Sequence, residues 1–355
     1  MKIFRFFQIA LASAIVFASC VPSYDIEIPD WEYKPGEEVT PPTVEDVFDG
    51  DYPVKYPDPK TPKVKTLQVG GFFRETKIKE GITLYSVEKK KETDITNAYQ
   101  TIFALEIDLN NENYVVEFYH GSRDTVSSIA KKQGAIAAVN ATYELEAIYS
   151  KTNGVVHGAC TLDPDHLRFW KHEAAIVGDG IRKIGMVHGA KGAKDHKAGG
   201  IQALEVYKSL TEKNIFASAP MLIDDYDPVG ASYVPSHLTD FSAYDSEDWR
   251  RHQGVRHPRV AAALTDDNDL ILVVVDGRFS GKAEGMSARE LTNFLVKYFN
   301  PRWAINMDGG GSSTMYIQGH GDPVNNVLNY PVDNKKWDHY GQRGRPEVFL
   351  IKYAK

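Results

Sequence analysis

The sequence predicts an α+β fold: a long, curved, mixed and largely antiparallel sheet flanked by a few helices in a single large domain. Three observations carry this. Runs alternating at a period of two, strongest in Thr101-Ile102-Phe103-Ala104-Leu105-Glu106-Ile107-Asp108, outnumber helical patterns. Two apolar runs, Val260 to Leu264 and Leu270 to Val275, are joined by Asp266-Asp267-Asn268-Asp269, turn chemistry that makes a hairpin. Helical spacing is clear in Leu291, Phe294, Leu295 and Tyr298. A doubly wound parallel sheet would need helices between most strands, which this pattern does not supply.

At the start of the chain, Lys2 and Arg5 precede the apolar run Ile9 to Phe17, and Ala18-Ser19-Cys20 follows. This is the layout of a secretory signal, and small residues just before a cysteine make it a lipoprotein signal over 1–19. An ordinary cleaved signal with Cys20 incidental is the other reading, and both send the chain out of the cytoplasm; the lipoprotein reading anchors it at the cell envelope, in the periplasm or at the cell surface. Residues 20–66 are rich in Pro, Asp and Glu with scattered aromatic residues and read as a tether holding the domain off the membrane. The domain is expected over 67–355. After Cys20 only Cys160 remains, and a lipidated Cys20 cannot pair with it, so an intramolecular disulfide framework is excluded. A formal net charge of −7 provides no broad basic field for nucleic acid.

Strands are expected at Ile82 to Val87, Gln100 to Asp108 and Tyr114 to Tyr119. Thr125 caps a short helix from Val126 to Gln133 that ends near Gly134, and Ala135 to Val139 is a buried strand running into Asn140. Insertions are expected near 163–200, 233–253 and 333–343. The first reads as hairpins, including Ala174-Ala175-Ile176-Val177, and an exposed loop. Within it, Gly189-Ala190-Lys191-Gly192-Ala193-Lys194 reads as a solvated basic loop, since no strand-to-helix context marks a phosphate site. The second reads as a lid or peripheral insertion. Asp266 to Asp269 lacks the central Gly and distal Glu of a calcium loop and reads as a surface turn. Ser287 caps the helix Ala288 to Phe299, with Glu290 completing a capping box.

The candidate site begins at Asp308-Gly309-Gly310-Gly311-Ser312-Ser313-Thr314, a carboxylate followed by bare backbone and three hydroxyls. Three consecutive glycines lose much chain entropy on ordering and suit a place where φ > 0 or a ligand must approach the backbone. Other polar tips adjoin apolar strands: Asn140, Arg259 and Asp276-Gly277-Arg278. Such tips could gather along one edge of a sheet, held rigidly yet reaching solvent. The segment lacks the second Gly of a nucleophile elbow and the lysine of a P-loop, and His157, His166, His172, His252 and His257 show no metal-site spacing. Carboxylates, amides, guanidinium groups and backbone N–H groups remain, a set suited to a sugar and a phosphate.

These blocks, together with Ala217 to Leu222, His257-Pro258-Arg259-Val260-Ala261, Gly285-Met286-Ser287 and Ala304 to Met307, occur in the order seen in the phosphodiester glycosidase family, which the chain resembles over residues 67–355. The family's best-known member removes N-acetylglucosamine from a phosphodiester. The resemblance implies hydrolysis of a sugar 1-phosphodiester at the anomeric carbon, with N-acetylglucosamine one candidate sugar. In that scheme Asp308 or Asp276 activates water or stabilises the oxocarbenium-like centre. Arg259 and Arg278 hold the phosphate; Gly309, Gly310 and Gly311 with Ser312, Ser313 and Thr314 donate to phosphate or sugar oxygens; Asn140 and Asn306 orient the sugar. No cofactor is required, and a calcium or magnesium ion at Asp308 or Asp276 stays open. The chain departs from the family where Asn140 is followed by Ala141-Thr142-Tyr143-Glu144 instead of glycines and aromatic residues, and where Asp333 to Arg343 looks inserted. Two other readings stand beside the enzyme: a non-catalytic glycan- or phosphosugar-binding lipoprotein, and a glycosidase acting on uncharged glycans.

Overall fold

A computed structural model describes residues 53–58 and 69–354. The signal segment 1–19 and nearly all of the tether lie outside these residues. The elements are, in order, β1 (Arg74–Lys79), β2 (Ile82–Glu92), β3 (Ala98–Asp108), β4 (Tyr114–Asp124), α1 (Val126–Gln133), β5 (Ala137–Asn140), β6 (Tyr149–Thr152), β7 (Val155–Ala159), β8 (Ala174–Gly178), β9 (Ile184–Val187), α2 (His196–Ser209), β10 (Asn214–Ser218), β11 (Met221–Ile223), α3 (Trp249–Gly254), β12 (Arg259–Leu264), β13 (Asp269–Val275), α4 (Ala288–Tyr298), β14 (Trp303–Met307), β15 (Met315–Ile317) and β16 (Arg345–Tyr353). The α+β class holds, with antiparallel pairing throughout these ladders, but the strands form three sheets instead of one long one.

The sheets run β1-β2-β3-β13-β12-β14-β11, β7-β6-β10-β8-β9 and β15-β5-β16-β4. Ile305 and Leu272 of the first, Ile176 and Phe216 of the second, and Val139 and Phe349 of the third meet in one shared apolar cluster. Each sheet also packs a helix in a separate cluster: α4 with Ile102, Ile271 and Val273, α2 with Ala175, Val177 and Ile215, and α1 with Ala138, Val348 and Leu350. This is why β12, β13 and β14 are buried along their whole length and read as continuous apolar runs.

The caps follow the sequence. Thr125 accepts from Ser128 N, and Gly134 closes α1 in the left-handed region at φ 63°. Ser287 and Glu290 form both halves of the capping box of α4. Lys55, within the tether, makes a bridge to Met186 of β9, and the Tyr56 hydroxyl donates to Glu212, so these tether residues dock on the domain. Two expectations are corrected. The stretch 163–200 is not only hairpins and loop, because α2 begins at His196, capped by Asp195. The turn at Asp266 is not a plain surface turn: Asp266 is fully buried and takes bonds from Arg302 and Tyr226.

Register sets up the site. β12 is antiparallel to both neighbours, pairing Arg259 with Val275 and Val260 with Met307. The start of β12 therefore lies beside the ends of β13 and β14, and Arg259, Asp276 and Asp308 share one edge. Among the described residues no helix is long and apolar enough to cross a membrane. Because the α4 cap satisfies backbone groups that would otherwise lack partners, Ser287→Ala should lower stability by about 1 kcal/mol, read as a lower urea midpoint at an unchanged slope.

Candidate active site

The loop from Asp308 to Thr314 connects β14 to β15 with only one short helical turn, Gly310–Ser312, so its backbone groups need outside partners. Asn140, at the end of β5, supplies two: its Nδ2 donates to Asp308 O at 2.7 Å, and its Oδ1 accepts from Thr314 N at 2.9 Å. Asp308 N donates to Ala141 O and Gly310 N to Pro258 O. Asn329 clamps the far end, accepting from Met315 N and donating to Ser313 O. A side chain at Gly309 would collide with Pro258 O, and one at Gly311 with the Asp333–Arg343 pair. Gly310 adopts φ 60° beneath the Arg278 guanidinium.

The structure brings the four polar tips together, but it gives them unlike tasks. Asp308 is 7% exposed, and its Oδ2 lies 3.2 Å from Arg345 Nε without a well-aligned hydrogen bond. Burial raises its carboxyl above the usual range, opposed by Arg345 and the Ser312 hydroxyl, and the charge of Glu144 raises it further. The hydroxyls of Ser312, Ser313 and Thr314 are all buried without a well-formed hydrogen bond. Arg278 is exposed, at φ 67°, a backbone region uncommon outside glycine and typical of strained functional positions. Its Nη2 lies 3.3 Å from His257 Nδ1. Burial, with Arg259 and Arg278 nearby, pushes His257 down to about 3, so that ring is neutral and accepts.

Arg259 departs from the expected phosphate role. It is 1% exposed, and it donates through Nε to Met286 O, through Nη1 to Gln253 Oε1 and through Nη2 to His252 O and Val255 O. Its guanidinium organises the α3 end of the loop 252–259 from within. Asp276 likewise is not open to water: it is 1% exposed, Oδ1 accepts from Asn329 Nδ2 and Oδ2 from Tyr330 N. It acts on the site through Asn329. Asn140 has both ends of its amide engaged by the loop, and Asn306 Nδ2 is taken by Tyr143 Oη, Ala219 O and Met307 O, leaving only a buried Oδ1 without a partner. Asn140 is therefore spent on the loop and not presented to a sugar as the sequence suggested, while Asn306 keeps that one oxygen.

The residues that sequence reasoning missed lie in the departures from the family pattern. Ala141 receives Asp308 N; Thr142 O receives Arg345 Nη2 at 2.6 Å; the Tyr143 hydroxyl accepts from Asn306 and Gln253. Glu144 accepts from Lys171 Nζ at 3.0 Å, and the same ammonium donates to Glu247 at 2.7 Å. Burial alone would raise Glu144, but Lys171 outweighs it and lowers the carboxyl, so Glu144 stays ionised. Behind Arg345, Glu347 is fully buried and takes the Thr142 and Ser150 hydroxyls and His120. The site thus contains two carboxyl groups whose surroundings push them in opposite directions, the pattern expected of an acid/base division. Among the described residues no group of three or more His, Cys, Asp and Glu side chains is gathered as metal ligands.

The family model described as phosphodiester glycosidase matches residues 133–352. The SPbeta prophage-derived uncharacterized protein YomE of Bacillus subtilis (strain 168) is 26% identical over 256 residues, which cover 69% of this chain and 33% of that protein. The chain therefore spans about a third of that relative's length. The catalytic domain of zebrafish N-acetylglucosamine-1-phosphodiester alpha-N-acetylglucosaminidase, auto-inhibited by its pro-peptide, superposes with a TM-score of 0.49 at 14% identity, covering 81% of this chain and 87% of that one. A hypothetical protein from Synechocystis gives 0.49 at 13% identity, covering 80% and 64%.

Burial lifts Asp276 from 3.8 to about 7, partly offset by Asn329 and Tyr330 N. The folded state then keeps a proton that the unfolded chain has lost, so this group's contribution to stability falls as pH rises from about 4 to about 7 and is flat above. The difference in urea midpoint between wild type and Asp276→Asn should change across that window and level off beyond it.

Proposed function

The chain belongs to the phosphodiester glycosidase family of hydrolases, and we propose that it cleaves a sugar 1-phosphodiester at the anomeric carbon, releasing the sugar and a phosphomonoester. The observation that carries this is the loop itself: Asp308 Oδ2 and the hydroxyls of Ser313 and Thr314 are buried without well-formed hydrogen bonds, the Ser312 hydroxyl has only a weak contact with Asp308, and all lie on the loop that passes beside Arg345 and Arg278. Buried polar groups are ordinarily paired, so a row left open marks where a ligand supplies the partners.

A phosphate leaving group departs from C1 with little protonation, so the chemical demand falls on activating water and on steadying charge. Glu144, kept ionised by Lys171, takes a proton from the water that attacks C1 as the C1–O bond to phosphorus breaks. Asp308 faces the developing oxocarbenium-like centre as the second carboxyl group. Arg278 holds the phosphate oxygens, since a guanidinium grips two at once and, among the described residues, this one has His257 alone as a hydrogen-bond neighbour. Loop hydroxyls and backbone N–H groups complete the contacts. Asn140, Arg259 and Asp276 position this machinery and touch no substrate.

A panel of sugar 1-phosphodiesters, N-acetylglucosamine among them, tests the proposal with the purified protein. Turnover is expected to fall by about 10²- to 10³-fold in Asp308→Asn with folding retained, the range for losing one positioned group that steadies transition-state charge. Arg278→Ala should raise KM on phosphodiesters. Full activity of Asp308→Asn would overturn the carboxyl assignment, and thermal stabilisation by these ligands without product would favour a binding protein. A divalent cation would compete with Arg345 for Asp308 and with Asn329 and Tyr330 for Asp276, so turnover should survive dialysis against EDTA.

We also propose that the leading segment directs export and lipid attachment at Cys20, so that the domain sits at the cell envelope on a membrane tether. Labelled palmitate should be incorporated when the full chain is expressed in bacteria and lost in Cys20→Ser.

A further inference from the structure

The loop Gly189–Lys194 has the strand-to-helix context its sequence was expected to lack, because it runs from β9 into the capped start of α2. It borders a cavity of about 320 Å³ whose other walls include Trp170, Tyr233, His188, His196 and Glu173. That volume is the size of a small ligand site. The chemistry of the walls decides which ligand. An anion is disfavoured, since Asp195 occupies the helix start by accepting Ala198 N, and Glu173 brings a carboxylate to the same space.

Glu173 is held by His188 and also interacts with the Tyr233 hydroxyl. Its Oε1 lies 3.2 Å from His188 Nε2, while Asp224 Oδ2 sits 3.1 Å from His188 Nδ1 and is itself paired with Lys191. Burial would lower His188, but the two carboxylates override it and raise the ring to about 9, so it stays charged and fixes Glu173 in place. Glu173 Oε2 is buried without a well-formed hydrogen bond, and although the Tyr233 hydroxyl interacts with this carboxylate, its oxygens keep lone pairs for a ligand's donors. Trp170, Tyr233 and His196 supply ring faces and edges, with Tyr233 and His196 centroids 5.0 Å apart. Hydroxyls that donate to a fixed carboxylate, and a C–H face that packs on aromatic rings, belong together in a sugar.

We propose that this cavity is a second saccharide subsite, receiving one sugar ring of a larger glycan substrate. It shares a wall with the candidate active site: Trp170 lines the cavity and packs against Tyr143, while the next residue, Lys171, holds Glu144. The assignment to the same substrate rests on the phosphodiester reading; occupancy of the cavity by a sugar does not.

The experiment therefore has two arms, both with the intact protein. In the first, Asp308→Asn protein is titrated with monosaccharides and, separately, inorganic phosphate, following the Trp170 indole by NMR. Sugar-dependent shifts are expected, with affinity reduced about tenfold or more in Ala193→Trp, which fills the cavity, and in Glu173→Gln. Unchanged affinity in Ala193→Trp, or shifts produced by phosphate and not by sugars, overturns the subsite. In the second arm, Ala193→Trp should lower kcat/KM about tenfold for an extended glycan phosphodiester while leaving a single-sugar phosphodiester unaffected. Equal loss on both substrates overturns the shared-substrate assignment. Sugar binding without turnover of any phosphodiester would leave the cavity assigned and the catalytic proposal refuted.

Discussion

The side chain of Asn140, reaching from the end of β5 into the glycine loop, is the contact on which the site depends. It accepts from Thr314 N and donates to Asp308 O, so a single amide fixes both ends of a segment with little regular structure of its own. A buried loop leaves backbone donors and acceptors that cost free energy when unpaired. Asn329 repeats the arrangement from the opposite side, and Asp276 holds Asn329. Amides suit this work because each carries a donor and an acceptor and brings no net charge into the interior.

Above that neutral framework the charges are layered. Arg259 lies deepest and is met by carbonyl oxygens and Gln253, with no carboxylate among its hydrogen-bond partners. Arg345 and Lys171 come next, each beside a carboxylate of the site. Arg278 is outermost and exposed. Burying charge is expensive unless it is paired and hydrogen-bonded, so the deep guanidinium has a partner at each of its three nitrogens while the outer one keeps N–H groups for a ligand. Asp308 falls between these extremes, and its raised carboxyl follows from a burial that Arg345 only partly offsets.

The strands, the capped helices α1 and α4 and the hairpin β12–β13 were legible because period and cap chemistry act over a few residues. Helix α2 was not. Gly199-Gly200 near its start reads as a breaker, yet a side chain at Gly200 would strike Phe169, so the glycine serves close packing that only the neighbouring segment explains. Asp266 looked like one acid in a turn until Arg302 and Tyr226 closed on it. Glu144 and Lys171 were hidden for a similar reason. They lie far apart in sequence, neither forms a motif, and only the departure after Asn140 hinted that this wall differs.

By itself, the sequence determined which residues end buried strands in polar tips, that the Asp308 loop needs bare backbone, and which family's block order the chain follows. These properties are local or linear, set by period, turn chemistry and residue order. Only the tertiary structure decided which tips face a ligand. Register places Arg259, Asp276 and Asp308 on one edge, but burial and available partners then divide them, leaving Arg259 and Asp276 spent on the framework and Asp308 open. A side chain's chemistry is fixed by its type; its remaining hydrogen-bonding capacity depends on what the rest of the chain brings against it.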